Sequence, residues 1–370
     1  MSDKKKFKNP TQDAIKNLSE SLIQFIHYLY QITIRNTIRD GNRLRKDPKY
    51  LPADILSIAK HHKAVCQEAD YSILPEKDQA VFNLYQKSLD NTIFQRTYTA
   101  LMTKFLINFV DLIMWINIWI NYGENRNFSV HIIARRKGLC AEFMKSLLKC
   151  VEMVYNDKKN MSSQELKPPQ IRDLFGVRCI LPSYKSVSDL KFFVNTVQAI
   201  LTDPSSSEYT DFYNWVETTT TTFGGMSIPK KELLRFKEYY FEFSDTKNYV
   251  VDPKGTYQSW QTTITIKQSP GGVELCGKML EFQARTFGMH KNATTGAAKQ
   301  DDYKEKIYSL IERIFSITDY SGGIEFYDFE IGPNGEVISV IDENGVVKPV
   351  IVCTRNSSQH VMPDTGDAIH

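Results

Sequence analysis

Most of the signatures that reveal an enzyme's chemistry are missing from this chain. Its 370 residues contain no Walker phosphate loop, no dinucleotide fingerprint and no H-E-x-x-H pair. P-loop nucleotidases, nicotinamide enzymes and zinc hydrolases therefore have no support. Cysteine is sparse: Cys66, Cys140, Cys150, Cys179, Cys276 and Cys353 are scattered, with no C-x-x-C or zinc-knuckle spacing. A reducing compartment is the simplest reading, and a cytoplasmic location is expected. The N-terminus, MSDKKKFKNPTQ, is polar and no apolar core follows it, so no signal peptide is expected. Internal repeats are absent. A large charge of one sign is absent too: 46 Lys and Arg face 43 Asp and Glu, a net charge of +3. That balance neither demonstrates nor excludes a nucleic-acid partner. It accommodates anionic ligands if the cations gather in one cleft.

The composition, 42% hydrophobic and 24% charged, is that of a globular chain long enough for one large domain or two ordinary ones. One run, FLINFVDLIMWINIWINY at 105–122, is almost uniformly apolar. Asn108, Asp111, Asn117 and Asn121 interrupt it, and its length is marginal for a span. A buried core helix is the expectation, with no stable membrane insertion.

Apolar residues recur at helical spacing over 18–38 and again over 75–106. GENRNFS at 123–129 reads as a connector. A helix is expected over 139–154, with Phe143, Leu147, Leu148 and Val151 on one side and Glu142, Lys145 and Lys149 towards the other. A polar loop follows to Pro168 and Pro169. From 171 the character changes. A strand over 176–181 leads to a helix over 186–201, then an ambiguous Ser/Thr-rich tract over 203–233. Strands are expected at 237–243, 261–267 and 278–284, and a helix at 297–316. Two hairpin signals close the chain, Gly332-Pro333-Asn334-Gly335 and Asp342-Glu343-Asn344-Gly345. The expected plan is a helical N-terminal region (1–125), a central α+β unit (126–316) and a small β-rich C-terminal element (317–370).

Three charged clusters stand out. In the first, Arg135, Arg136 and Lys137 precede a helix that carries Lys145. Free N–H groups at a helix start combine with cations to hold phosphate; a solvated basic patch is the plain alternative. The second cluster contains a D-P-K-G turn with Lys254, followed by Tyr257, which can stack on a base. A β-turn beside aromatic core residues accounts for it equally well. In the third, Glu281, Gln283 and Arg285 alternate with Leu280, Phe282 and Ala284, which sets three polar groups on one strand face. The plain alternative is the solvated face of an edge strand. Asp173 stands just before the 176–181 strand and Arg178 interrupts it, although a structural strand needs neither charge. A sheet carrying Asp173 and Glu281 brings two carboxylates together. Paired carboxylates beside phosphate-binding cations suggest Mg²⁺ and a nucleoside triphosphate.

In order, these segments resemble the synthetase domain of RelA/SpoT-family alarmone synthetases over roughly residues 130–305. Arg135, Lys137 and Lys145 match the basic positions of the family's Arg-x-Lys-Ser-x-x-Ser-x-x-x-Lys segment, while Gly138 and Ala141 replace its serines. Asp173-Leu174-Phe175-Gly176-Val177-Arg178 resembles the metal-binding stretch. Pro253-Lys254 through Gln261 resembles the Pro-Lys-x-x-Gly-Tyr-x-Ser-x-His segment, one residue shorter, with Gln261 in place of the histidine. Glu281-Phe282-Gln283-Ala284-Arg285-Thr286 matches the Glu-x-Gln-x-Arg-Thr strand, and His290 matches a following histidine. Gly296, Lys299, Tyr303 and Lys304 continue the similarity.

The resemblance implies an α+β fold, a nucleotidyltransferase-like mixed β-sheet with flanking helices, joined here to the helical N-terminal region. It implies Mg²⁺-dependent transfer of pyrophosphate from ATP to the 3′-hydroxyl of GDP or GTP, making (p)ppGpp. Asp173 and Glu281 are then the catalytic and metal-binding carboxylates. Arg135, Lys137, Lys145 and Arg178 bind ATP phosphates, and Tyr257, Lys254, Gln283, Arg285 and His290 bind the acceptor. The His-Asp hydrolase signature of long family members is missing, because His61-His62 has no adjacent Asp. The chain thus resembles a synthetase-only member. Some of these resemble toxins that pyrophosphorylate the 3′-CCA end of tRNA, and others make adenosine alarmones. The lost serines also leave room for a degenerate module that binds nucleotide, RNA or protein. The N-terminal helices are candidates for self-association or for contact with a regulatory protein.

Overall fold

The computed structural model describes residues 14–33, 55–124, 130–137, 139–156, 166–182, 186–219, 222–223, 226–253, 257–272, 274–294, 310, 314, 328–331, 337–341 and 347–349. The N-terminal part is helical: α1 (Glu20–Thr33), α2 (Ile55–Glu68), α3 (Glu76–Arg96) and α4 (Thr99–Glu124). The pattern over 75–106 reads as one helix, but the chain breaks it. Tyr98 adopts φ 63° between α3 and α4, a left-handed conformation that ends one helix and redirects the next.

Strand β1 (His131–Lys137) then leads, across one residue, into α5 (Leu139–Tyr155). Strand β2 (Phe175–Leu181) and helix α6 (Val187–Thr202) lie where the periodicity sets them. The start of α6 is a capping box: the Ser186 hydroxyl accepts from the Asp189 N–H while the Asp189 carboxylate accepts from the Ser186 N–H. The ambiguous 203–233 tract contains α7 (Ser207–Thr218), two short paired strands, β3 (Thr222–Phe223) and β4 (Met226–Ser227), and α8 (Lys230–Leu234). Strands β5 (Tyr240–Asn248), β6 (Trp260–Gln268) and β7 (Met279–Thr286) follow, then α9 (Phe287–Thr294). Most of the helix expected over 297–316 lies outside the described residues; Leu310 and Ile314 within it are helical. The two turn tetrapeptides also lie outside them. The strands that flank them, β8 (Asp328–Ile331), β9 (Val337–Ile341) and β10 (Val347–Pro349), pair antiparallel.

The main sheet runs β10-β9-β8-β1-β2-β7-β6-β5. It is mixed: β2 and β7 are parallel, and their neighbours pair antiparallel. The fold is thus α+β with flanking helices. Alternation along β7 decides what each sheet face does. Leu280, Phe282 and Ala284 join a core with α4, α6 and α7, while Glu281, Gln283 and Arg285 point to the other side. A second core packs α1, α2 and α3 against Phe143, Leu147 and Val151 of α5. Both cores draw on residues from either side of residue 125.

Helix α4 carries the long apolar run. The Leu101–Tyr122 stretch is long and apolar enough to cross a membrane, and 56% of it is buried within this fold. Phe109, Ile113, Trp115 and Ile116 sit at the centre of the first core, each at most 1% exposed.

Candidate active site

Over the polar sheet face lies a cavity of about 570 Å³. Its walls come from four places. Helix α5 supplies Lys145 and Lys149, and the segment before β2 supplies Lys167, Gln170, Arg172 and Asp173. Strand β5 supplies Asp245 and Lys247, and β6 and β7 supply Gln261, Thr263 and Glu281. Three predicted residues, Lys145, Asp173 and Glu281, therefore share one cavity.

Two features of the sheet bring the carboxylates together. Parallel pairing sets Gly176 of β2 beside Glu281 of β7, and Asp173 stands just before β2. Glycine at 176 leaves no side chain beside Glu281 on the β2 side, while Thr263 flanks it from β6. Lys145, in the second turn of α5, reaches across to Asp173 with 2.5 Å between Nζ and Oδ2; both side chains are about 85% buried. Lys149 is four residues further on, on the same helix face, and donates to the Gln170 carbonyl. Arg172 pairs with Asp245. Asp245 has φ 50° at a bulge in β5, where the register against β6 slips between Ser244 and Lys247. Bulges re-aim side chains, and this one turns an aspartate into the cavity.

Beside the cavity, Gln283 is the centre of a hydrogen-bond chain. Its Oε1 accepts from Arg178 Nε at 3.0 Å and from Arg285 Nη2 at 3.1 Å. Its Nε2 donates to Glu281 Oε2 at 2.9 Å and to Gln261 Oε1 at 3.3 Å. Arg285, 1% exposed, also donates to the Tyr257 hydroxyl and lies 4.9 Å from the centre of that ring. Arg178 thus sits in this chain and does not line the cavity. His290 on α9 is half-buried. Burial first, then the charges of Arg178, Arg285 and His131, push its pKa down to about 4. At neutral pH the ring is uncharged.

Arg135 and Lys137 lie in β1 by backbone, not in a loop before the helix; their side chains, and the whole of Lys254, lie outside the described residues. Sequence reading missed Lys167, Arg172, Asp245, Lys247 and Thr263. Lys149 carried a signal, its i+4 spacing from Lys145. Asp245 carried none, because a bulge leaves no mark in composition. Glu142 was expected on the polar side of α5 but is fully buried, with its Oε2 2.7 Å from Arg96 Nε.

The cavity can hold a polyanion. Lys145, Lys149, Lys167, Arg172 and Lys247 outnumber Asp173, Asp245 and Glu281. Among the described residues, no group of three or more His, Cys, Asp and Glu side chains gathers to hold a metal. Two carboxylates in one cavity are nonetheless the donor set Mg²⁺ favours, because this ion keeps waters and substrate phosphates among its oxygen ligands. Asp173 and Glu281 would be the residues to hold such an ion.

Residues 148–308 match a family model described as the region found in RelA / SpoT proteins. Among solved structures, the chain is similar to the small alarmone synthetase 2 of Bacillus subtilis, at 16% identity over 61% of this chain and 88% of that one, with a TM-score of 0.30. It is similar to the small alarmone synthetase 1 of Bacillus subtilis bound to its product pppGpp, at 13% identity over 53% and 78%, with a TM-score of 0.29. A GTP pyrophosphokinase family protein from Streptococcus pneumoniae gives 13% identity over 57% and 84%, with a TM-score of 0.28. No curated protein matches.

Proposed function

We propose that this chain, which carries a RelA/SpoT region over residues 148–308, transfers the pyrophosphoryl group of ATP to the 3′-hydroxyl of GDP or GTP, making (p)ppGpp. One observation carries the reading: Asp173 and Glu281 share a cavity whose rim is predominantly cationic. Asp173 and Glu281 would hold Mg²⁺, which when bound neutralises charge on the ATP phosphates.

The chain's own residues do the positioning. Lys145, with Arg135 and Lys137 on the adjoining β1, meets the ATP phosphates. Lys149, Lys167, Arg172 and Lys247 spread further positive charge over the cavity wall. The acceptor base stacks on Tyr257, whose hydroxyl is held by Arg285. Gln283, Arg285, His290 and Lys254 shape the acceptor side, and Arg178 fixes Gln283 from β2. The 3′-oxygen attacks the β-phosphorus, the bond from that phosphorus to the α,β-bridging oxygen breaks, and AMP leaves with the electron pair. Glu281 accepts the 3′-hydroxyl proton, its carboxylate oriented by Gln283. Aligning two polyanions and neutralising their charge is most of the catalytic work in such a transfer.

The test is transfer of label from β-labelled ATP with Mg²⁺, offering GDP, GTP, ATP and total tRNA as separate acceptors. A labelled guanosine product is expected, and Glu281→Gln should lower transfer by at least about a hundredfold. Label on tRNA alone would replace the acceptor in this reading. No transfer to any acceptor, with nucleotide still bound, would make the chain a degenerate binding module.

A further inference from the structure

We propose that the C-terminal end of α3 is a positioning clamp that holds the two catalytic walls of the cavity, α5 with Lys145 and β7 with Glu281, at a fixed separation. The role rests on the function proposed above, and its residues lie outside the 148–308 match.

Three consecutive residues make the clamp. Arg96 reaches α5 through the buried pair with Glu142, in which both side chains are at most 1% exposed. Glu142 is one turn before Lys145, so this contact fixes the rotation of the helix turn that presents Lys145. Gln95, 2% exposed, reaches the start of β7. Its Nε2 donates to the Gly277 carbonyl and its Oε1 accepts from the Met279 N–H, both at 3.1 Å. Met279 is two residues before Glu281, on the same strand. The Phe94 carbonyl accepts from the Lys278 ammonium, which also lies 4.0 Å from the centre of the Phe94 ring. Both walls are thus bound within one turn of one helix.

The approach depends on glycine. Gly277 has φ +77°, and a Cβ there would lie 3.1 Å from Phe94 Cζ. Burying a guanidinium, a carboxylate, an amide and an ammonium at one junction is a costly way to glue elements together, since apolar side chains would do it at lower cost. Polar contacts at fixed geometry instead enforce one arrangement. Ser88 of α3 adds a further link to α5 through the Ser146 hydroxyl at 2.6 Å, next to Lys145.

Gln95→Leu keeps the volume and removes both hydrogen bonds to the β7 side. Gly277→Ala pushes the same junction apart without touching a polar side chain. Lys87→Ala, on the exposed side of α3, is the control. Each full-length variant is assayed for transfer and for hydrogen exchange well below its melting temperature. Both clamp variants are expected to lower kcat about tenfold or more, with KM for ATP changed less than about threefold, because a misplacement near 1 Å is costly in rate. Exchange should rise together over 139–149 and 279–286, the far wall included, and Lys87→Ala should change neither. Wild-type kcat in both variants would overturn the clamp, as would an exchange change confined to the 277–279 contact. If the wild type transfers no label, the proposed function fails on its own, and the exchange data alone decide the clamp: coupled loss at both walls supports it, and unchanged exchange at the α5 wall refutes it.

Discussion

Gln283 shows how much one neutral side chain can organise. A primary amide offers two donor hydrogens and an oxygen with two lone pairs. Here all four are used, by Arg178 and Arg285 on the oxygen and by Glu281 and Gln261 on the nitrogen. The amide accepts from two cations and donates to the carboxylate, so it holds Glu281 in place without competing for it by charge. Gln283→Glu tests this. The new carboxylate still accepts from both arginines but no longer donates to Glu281, so the hydrogen bond that orients that side chain is lost. Transfer should fall about tenfold or more while ATP still binds, because a misplaced group near the reacting atoms is costly in rate. Wild-type transfer in this variant would show that Glu281 does not need the amide to hold it. This network was partly legible in the sequence, because the period-2 alternation over 280–285 puts Glu281, Gln283 and Arg285 on one face. The solvated edge face is excluded: β7 lies between β2 and β6, and Gln283 is 4% exposed.

At the scale of elements, legibility followed period and length. Helices α5 and α6 and strands β2, β6 and β7 carry an apolar pattern that matches their geometry, and the structure has them at the expected places. Strand β1 was missed because its apolar residues stop after Ala134 and a basic run, Arg135 to Lys137, follows. Helix α7 was obscured by serine and threonine, although its first turn is capped by Ser206. The buried face of Glu142 was unreadable, because its partner Arg96 is 46 residues away. The same limit applies to His62. The pair His61-His62 shows no local sign of use, yet His62 lies at the meeting point of four helices. Its Nδ1 faces Thr33 Oγ1 of α1 at 2.7 Å, its Nε2 faces the Tyr85 hydroxyl of α3 at 2.9 Å, and its ring lies 4.6 Å from that of Phe143 on α5. Burial, aided by the charge of His61, pushes its pKa down to about 3. Between pH 6.5 and 3 the unfolded chain takes up a proton that the folded chain refuses. The stability that goes with the neutral ring is therefore full above pH 6.5 and is lost as pH falls towards 3. His62→Gln removes this titration at the expense of a well-fitted junction. In denaturant unfolding it should be less stable than wild type at pH 7.5, by about 1–3 kcal/mol. That gap should narrow steadily at pH 5.5 and 4. A constant gap would mean that His62 does not contribute to acid sensitivity.

At the scale of the whole molecule, the helical N-terminal region is structurally joined to the α+β unit. Helix α4 buries ten apolar side chains between Met102 and Ile120, in the core that also contains the inner faces of β2, β6 and β7. At about 2 kcal/mol for each buried side chain, that is on the order of 20 kcal/mol. Without α4 the inner face of the sheet would be left bare to water. The second core makes the same argument for α1, α2 and α3, because their partners are Phe143, Leu147 and Val151 on the helix that carries Lys145. Composition alone divides the chain near residue 125, because helical and mixed patterns change over there; packing is blind to that change, since a core is assembled from residues far apart in sequence. A fragment beginning at residue 126 retains the complete 148–308 match but lacks the helices that cover both cores. It should be recovered aggregated, or soluble without a cooperative thermal transition, while the full chain unfolds cooperatively. A fragment beginning at residue 99 restores α4 and covers the first core, yet it leaves α5 bare on the side that α3 packs and lacks Gln95 and Arg96. If it folds, it should bind nucleotide with little transfer. Full transfer by the 99–370 fragment would show that the walls of the cavity hold their separation without α3.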